Sequence, residues 1–255
     1  MTHTKTIIFD YDGTLLTNDQ TTISEKTKSI LRELKTRNNL IILATGRPLS
    51  HCKYLLKENL VDYIVSANGS LVSSNNGILF SRVISLTNVG LFHDFCVKYN
   101  IPSTFYKTDI LTNGIINTDI KDGLREAMNI NAEQLNIITT DNFNNVYLMC
   151  AFTTNEIDQH LKQNFPNLYL SRWHTHIISL LEVEVTKTTG ILKILEYHNI
   201  PTSQCIAVGD GGNDIDMLKM AGYGVAVGTN ESLVTVADIV IDSVEQQFIS
   251  LIEKW

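Results

Sequence analysis

In "TKTIIFDYDGTLLTND", residues 4–19, a short apolar run (Ile7-Ile8-Phe9) stops abruptly on two acids one residue apart, Asp10 and Asp12, followed by Gly13 and Thr14. In an open α/β sheet, ligands bind beyond the carboxyl ends of the strands. With Thr6–Phe9 as a strand, both carboxylates stand at that rim, and Gly13 permits the sharp backbone exit. Two adjacent acids repel and are costly without a cation or a shared proton. A divalent metal resolves the conflict, because hard cations take oxygen ligands. A strand-end Asp followed by a turn Asp is also common in surface loops, so the pair alone leaves chemistry and plain structure about equally open.

The surrounding chain supplies the context of an α/β sheet. Residues 24–37 ("SEKTKSILRELKTR") carry Ile30, Leu31 and Leu34 at helical spacing, with Ser24 as N-cap. Leu40–Ala44 ("LIILA") is continuously apolar, the mark of a strand covered on both faces. Val61–Ser66 reads as a third strand, and Leu71–Val72 and Ile78–Phe80 flank "SSNNG" as a hairpin. The alternation resumes late in the chain, with a helix over Thr188–His198, a strand over Cys205–Val208 and a helix over Asp214–Ala221. Short strands over Gly224–Val227 and Ile239–Ile241 then flank a helix over Ser232–Ala237. Strands alternating with helices give βαβ units and a parallel sheet. The middle of the chain has a different texture, richer in Asn and Thr with longer polar gaps. The expected organisation is a Rossmann-like three-layer α/β/α core over residues 1–82 plus 185–255, with an inserted α+β domain over 83–184.

Composition narrows the partners. The 255 residues are 44% hydrophobic and 18% charged, enough to bury a real core, and the net charge of −7 argues against nucleic acid or an anionic membrane as the main partner. A few local cations could still hold a small anion. The four cysteines are scattered without metal spacing and read as reduced, mostly buried thiols. No signal peptide and no apolar stretch of membrane-spanning length is evident, so the expected location is the cytoplasm. Composition leaves the oligomeric state open.

Three further constellations answer the opening pair. "CIAVGDGGNDIDML" (205–218) ends a second apolar strand on Asp210, then passes two glycines to Asn213 and Asp214. Asp210 at a strand end is a natural metal ligand, and the glycines let backbone approach a small anion; a Gly-rich turn with an N-capping Asp214 is the plainer account. In "IILATGRP" a strand ends on Thr45-Gly46, whose hydroxyl and backbone N–H suit a phosphate oxygen, with Arg47 as a possible substrate contact or an ordinary surface Arg. Lys187, just ahead of a helix and after Glu182 and Glu184, would neutralise a phosphoryl group; alone it would read as a solvated helix-start Lys. Neither acidic loop fits an EF-hand, since Leu15 occupies the position that needs Gly and Gly212 the third ligand position.

Taken together, "DYDGTLL", "TGR", Lys187 and "GDGGNDIDML", with "ANG" at Ala67–Gly69, resemble the haloacid dehalogenase-like phosphohydrolases, specifically the Cof-like branch with a large cap. The motifs span Asp10 to Leu218. Tyr11 departs from the usual Leu, and Thr188 from the usual Gly after the Lys, without removing a catalytic group.

That resemblance implies a phosphatase acting on small phosphorylated metabolites such as sugar phosphates. Asp10 would be the nucleophile forming an aspartyl-phosphate, and Asp12 the general acid and then base. Mg²⁺ would bind through Asp10, the Asp12 backbone carbonyl and Asp210, with Asp214 directly or through water. Thr45, Gly46, Lys187 and backbone N–H groups near Tyr11 would hold the phosphoryl oxygens, with Asn213 orienting phosphate or the surroundings of Asp12. The inserted segment would act as a cap that excludes water and selects substrate. Arg172 and Trp173 would either meet substrate or pack, and His174 and His176 read as cap-strand residues rather than a metal pair. A phosphotransferase or mutase on the same fold is the alternative, separable by its product. A non-catalytic phosphometabolite sensor is less favoured because every acid is present, and a receiver domain would be about half this length.

Overall fold

Ile7, Ile8 and Phe9 belong to a strand buried along its entire length, so successive side chains enter two different apolar layers. The computed structural model describes residues 4–17 and 20–253; Asn18 and Asp19, which close the opening stretch, lie outside the described residues. In chain order the first segment forms β1 (Thr6–Asp10), α1 (Glu25–Thr36), β2 (Leu40–Ala44), α2 (Leu49–Lys57), β3 (Tyr63–Ser66), β4 (Leu71–Ser74) and β5 (Gly77–Ser81). The middle forms α3 (Leu86–Lys98), β6 (Ser103–Tyr106), β7 (Ile110–Thr112), α4 (Thr118–Met128), β8 (Asn136–Ile137), β9 (Leu148–Phe152), α5 (Asp158–Asn164), β10 (Leu168–His174) and β11 (Ile177–Glu182). The last forms α6 (Lys187–His198), β12 (Cys205–Gly209), α7 (Ile215–Met220), β13 (Tyr223–Val227), α8 (Glu231–Val234), β14 (Ile239–Ile241) and α9 (Val244–Ile252).

The first compact unit comprises residues up to Gly46, Cys52–Phe80 and Thr186 onward. Its sheet runs β14-β13-β12-β1-β2-β3-β4-β5. The pairs from β14 through β3 are parallel, and β4 runs antiparallel to β3. Ile8, Ile42, Ala207 and Ala226 pack with Ile191, Ile194, Met217 and Leu218 of α6 and α7 on one face. On the other face Phe9 meets Phe248 of α9 edge-on, with ring centroids 5.1 Å apart, and α9 packs against α1. This is the expected three-layer α/β/α arrangement. Every residue of β1, β2 and β12 is buried, which is why they read as unbroken apolar runs.

The second unit comprises Ser81–Val185 together with Arg47–His51. Its sheet runs β10-β11-β9-β6-β7-β8 and is antiparallel apart from β7 beside β8. Val89, Phe92 and Phe95 of α3 pack on Phe105, Met149, Ala151, Ile178 and Leu180. Helix α4 takes the opposite face, where Gly123 approaches Phe152 and Ile177 too closely for a larger residue to enter without displacement. Residues 50 and 51 join this unit through Ser50, whose N–H donates to the Thr108 carbonyl at 2.8 Å and whose Oγ donates to Asp109 at 3.0 Å. All four cysteines are free and buried, as read from their spacing. Among the described residues no helix is long and apolar enough to cross a membrane.

Candidate active site

Strand register places the site. Phe9 stands opposite Val208, and Asp10 opposite Ala44, so β1, β2 and β12 end at one rim. Asp10 closes β1, Thr45 follows β2 and Asp210 follows β12. The Thr45 N–H donates to the Val65 carbonyl at 2.8 Å, and the Thr45 carbonyl accepts from the Asn68 N–H at 3.1 Å, tying the β2 exit to the turn after β3.

The carboxylates converge on one buried cation. Lys187 Nζ donates to Asp10 Oδ1 at 2.5 Å and to Asp214 Oδ1 at 2.8 Å, with both side chains and the Lys almost fully buried. Oxygens of Asp10, Asp210 and Asp214 lie within 4.8 Å of one another, the one such group among the described residues. Thr14 Oγ1 donates to Asp210 Oδ1 at 3.1 Å. The second oxygen of Asp214 accepts from the N–H groups of Asp210 (3.2 Å) and Gly211 (3.1 Å). Asp214 therefore folds the loop after β12 with one oxygen and holds Lys187 with the other.

The glycines are there for close approach. Gly13 has φ +80°, and a Cβ on it would lie 2.0 Å from Asp210 Oδ2. Gly69 has φ +105°, and a Cβ there would lie 1.9 Å from the Thr186 carbonyl. A Cβ already substituted on Gly190 of α6 would meet Val65 and Gly69 likewise. The "ANG" turn and α6 are thus pressed together at the first turn of the helix that carries Lys187. A capping box formed by Thr186 and Thr189 starts that helix.

Electrostatics shows what the cluster lacks. Burial, then Asp214 and Asp210, push the Asp10 carboxyl well above the usual carboxylate range, against the pull of Lys187. Burial and Asp214 likewise raise Asp210, opposed by the Thr14 hydrogen bond. Burial alone would lower Lys187, but Asp10 and Asp214 outweigh it and keep the ammonium charged. One ammonium among three carboxylates leaves negative charge uncompensated in a mostly buried place. The donor set, carboxylate oxygens close enough to share one ion, fits a hard divalent cation.

Residues 7–250 match the family model for haloacid dehalogenase-like hydrolases. The chain belongs to this family. Among similar proteins, the 5-amino-6-(5-phospho-D-ribitylamino)uracil phosphatase YitU of Bacillus subtilis is 28% identical, over 87% of this chain and 86% of its own. The phosphoglycolate phosphatase of Methanococcoides burtonii is 24% identical, over 89% and 85%. Among solved structures, the subclass IIB sugar phosphatase BT4131 superposes with a TM-score of 0.81 at 27% identity, covering 98% of each chain. A protein of Geobacillus kaustophilus gives 0.85 at 26%, covering 98% of this chain and 97% of its own. This hydrolase is a phosphatase of the Cof-like branch.

The structure brings Asp10, Asp210, Asp214 and Lys187 into one cluster and places Thr45 at the same rim. Asp12 follows on the turn that bridges to Leu16. A Cβ on Gly46 would stand 3.1 Å from Asn68 Oδ1, and Asn213 lies exposed on the turn that ends at Asp214. Arg47 is buried and groups with the second unit. Two readings are corrected. Lys187 is the first residue of α6 rather than a residue ahead of it, because the Thr186 cap starts the helix one position earlier. Asp214 ends a short 3-10 turn and does not cap α7; its oxygens are taken by the loop and by Lys187.

In the second unit Arg172 is saturated: Nε and Nη2 donate to Asp158 (2.8 and 2.6 Å), Nη2 also to the Thr154 carbonyl, and Nη1 to the carbonyls of Thr153 and Thr175. Arg172 thus ties β10 to Asp158 and to the loop after β9. His174 and His176 each stand beside a carboxylate of α4, Glu126 at 3.3 Å and Asp119 at 3.0 Å. Sequence reasoning passed over Thr14, although its place one residue after Gly13 is a signal for a hydroxyl at the strand exit. It also gave Gly69 no task.

Proposed function

We propose that this hydrolase is a Mg²⁺-dependent phosphomonoesterase that works through an aspartyl-phosphate on Asp10. The observation that carries the reading is the Lys187 ammonium shared by Asp10 and Asp214, beside Asp210, at the ends of two adjacent parallel strands. Asp10, Asp210, Asp214 and the Asp12 carbonyl would hold the cation. Bound there, it supplies the positive charge that lets a carboxylate approach a phosphate dianion.

The chain's own groups do the rest. An Asp10 oxygen bonds to phosphorus as the bond to the ester oxygen breaks, and the departing oxygen takes the Asp12 proton and leaves as the alcohol. Asp12, now a carboxylate, takes a proton from water as the water oxygen attacks phosphorus. The Asp10–phosphorus bond then breaks, and inorganic phosphate departs with Asp12 protonated again. Lys187, Thr45, the Gly46 N–H and Asn213 orient the phosphoryl oxygens, and fixed donors of this kind account for much of the rate in phosphoryl transfer. Arg47 is a substrate contact in this reading.

The substrate class is a small phosphorylated metabolite of sugar-phosphate type. The names of two relatives support it: a phosphoribityl compound and a sugar phosphate both carry the ester on a hydroxylated carbon chain. The segment 83–184 is the part proposed to select the leaving group. Net charge of −7 favours a small anion over a polyanion as partner.

The test is phosphate release from p-nitrophenyl phosphate and a panel of sugar phosphates, with Mg²⁺ and with chelator, beside Asp10→Asn. Release that requires Mg²⁺ and vanishes in the variant is expected. A transferred rather than released phosphoryl group would replace hydrolysis by a mutase, and persistent turnover by Asp10→Asn would remove the covalent intermediate.

A further inference from the structure

Tyr11 lies between the two acids, one residue past the end of β1, in the turn that leaves the strand. Its ring is fully buried, and its hydroxyl lies 3.1 Å from that of Tyr54 on α2. The Tyr54 hydroxyl also accepts the Ile23 N–H at 3.2 Å. Meanwhile the Tyr11 carbonyl accepts from Leu15 (3.0 Å) and Leu16 (2.8 Å), and the Gly13 N–H donates back to the Leu16 carbonyl at 2.9 Å. The residue is held at its backbone by the turn it begins and at its far end by a phenol on α2. Burying a phenol hydroxyl without such a partner would cost its lost hydrogen bond to water.

We propose that Tyr11 and Tyr54 form a positioning pair that sets the orientation of Asp12 for proton transfer to the leaving group. The inference rests on the role of Asp12 in the reading above. Asp12 follows Tyr11 directly, so a shift of the Tyr11 backbone, which the tether at the end of its buried ring opposes, carries Asp12 with it. Asp10, on the other side, is anchored independently by Lys187 and by the register of β1 between β2 and β12. The pair therefore acts on one acid and spares the other. Displacement of a reacting group by about 1 Å can cost on the order of a hundredfold; a lost tether that only broadens the Asp12 position falls below that.

The ester itself provides the discriminating readout. An alkyl phosphate needs its leaving oxygen protonated, whereas p-nitrophenolate departs without help. Tyr11→Phe and Tyr54→Phe keep both rings and remove one hydroxyl each. Each is expected to lower kcat/KM for glycerol 2-phosphate roughly tenfold and for p-nitrophenyl phosphate less than about twofold, with the double variant no worse than either single one. Mg²⁺ affinity by titration calorimetry stays unchanged. Asp12→Asn is the control and should show the same ester dependence, more strongly. An equal loss on both esters in the Tyr variants, with Asp12→Asn still discriminating, would overturn the positioning role while leaving the phosphatase reading intact. An Asp12→Asn variant that lowers kcat/KM for both esters alike would overturn the acid role of Asp12 and the pair's role with it, since kcat/KM ends at departure of the alcohol and excludes the shared hydrolysis step.

Discussion

Asp214 shows how few residues build the centre. Its two oxygens face different tasks, loop and ammonium, and an amide has only one acceptor oxygen to offer. Asp214→Asn should therefore lose more than a charge, with circular dichroism and thermal melting detecting a loosened loop as well as lost turnover. Lys187→Ala leaves buried carboxylates without their cation, and a loss of at least about a hundredfold in kcat is expected from removing one fixed charge donor. Gly13→Ala places a methyl where Asp210 Oδ2 now stands, and Gly69→Ala places one against the Thr186 carbonyl. Calorimetric Mg²⁺ titration should find the first variant folded but weakened in ion binding. Denaturant melts should find the second destabilised by about 2–4 kcal/mol, the range for forced overpacking together with a strained φ. The acids were legible in sequence because each stands at the end of an apolar run. The tasks of Gly69 and Gly190 were not, since a close approach between two distant glycines leaves no mark in the spacing of either.

At the scale of elements, β1, β2, β12 and α1 were read to within a residue because burial on both faces writes an unbroken apolar run, and Ser24 advertises its cap. Helices α2 and α9 went unread. In α2, apolar and polar residues are mixed through "LSHCKYLLK", and α9 is a short terminal segment whose partner, α1, lies far away in sequence. That partnership has a polar seam. Ser24 accepts the Thr27 N–H at 3.0 Å and donates to Glu245, and Thr27 Oγ1 donates to the same carboxylate at 2.8 Å. Ser24 chiefly, then Thr27 and Lys26, hold Glu245 below its usual range despite partial burial. A carboxyl depressed on folding stabilises the protein above the unfolded value, roughly pH 4.3, and loses that contribution as pH falls through the folded value. Glu245→Gln should thus flatten the acid limb of a stability-versus-pH curve, by less than about 1 kcal/mol because the group is largely solvated. Ser24→Ala removes both the cap and a Glu245 partner, and about 1 kcal/mol of stability should go with it in urea melts.

For the molecule as a whole, an ion that binds only the folded cluster stabilises by mass action. At a hundredfold excess over its Kd the gain is about 2.7 kcal/mol. The melting temperature should climb with added Mg²⁺, fall back with chelator, and lose this response in Asp210→Asn. The sheet also dictates when such a centre can exist. Thr6 through Phe9 pair with Cys205 through Val208, so β1 takes its place between β2 and a strand made only after the entire second unit. During synthesis on the ribosome the open edge of β1 waits for a partner while the entire second unit emerges, and pairing so remote in sequence is slow to close. Until then Asp10 has neither Lys187 nor Asp214 beside it, so a nascent chain carries no finished acidic cluster. What it carries instead is an apolar edge, TIIF, of the kind that invites pairing with another chain.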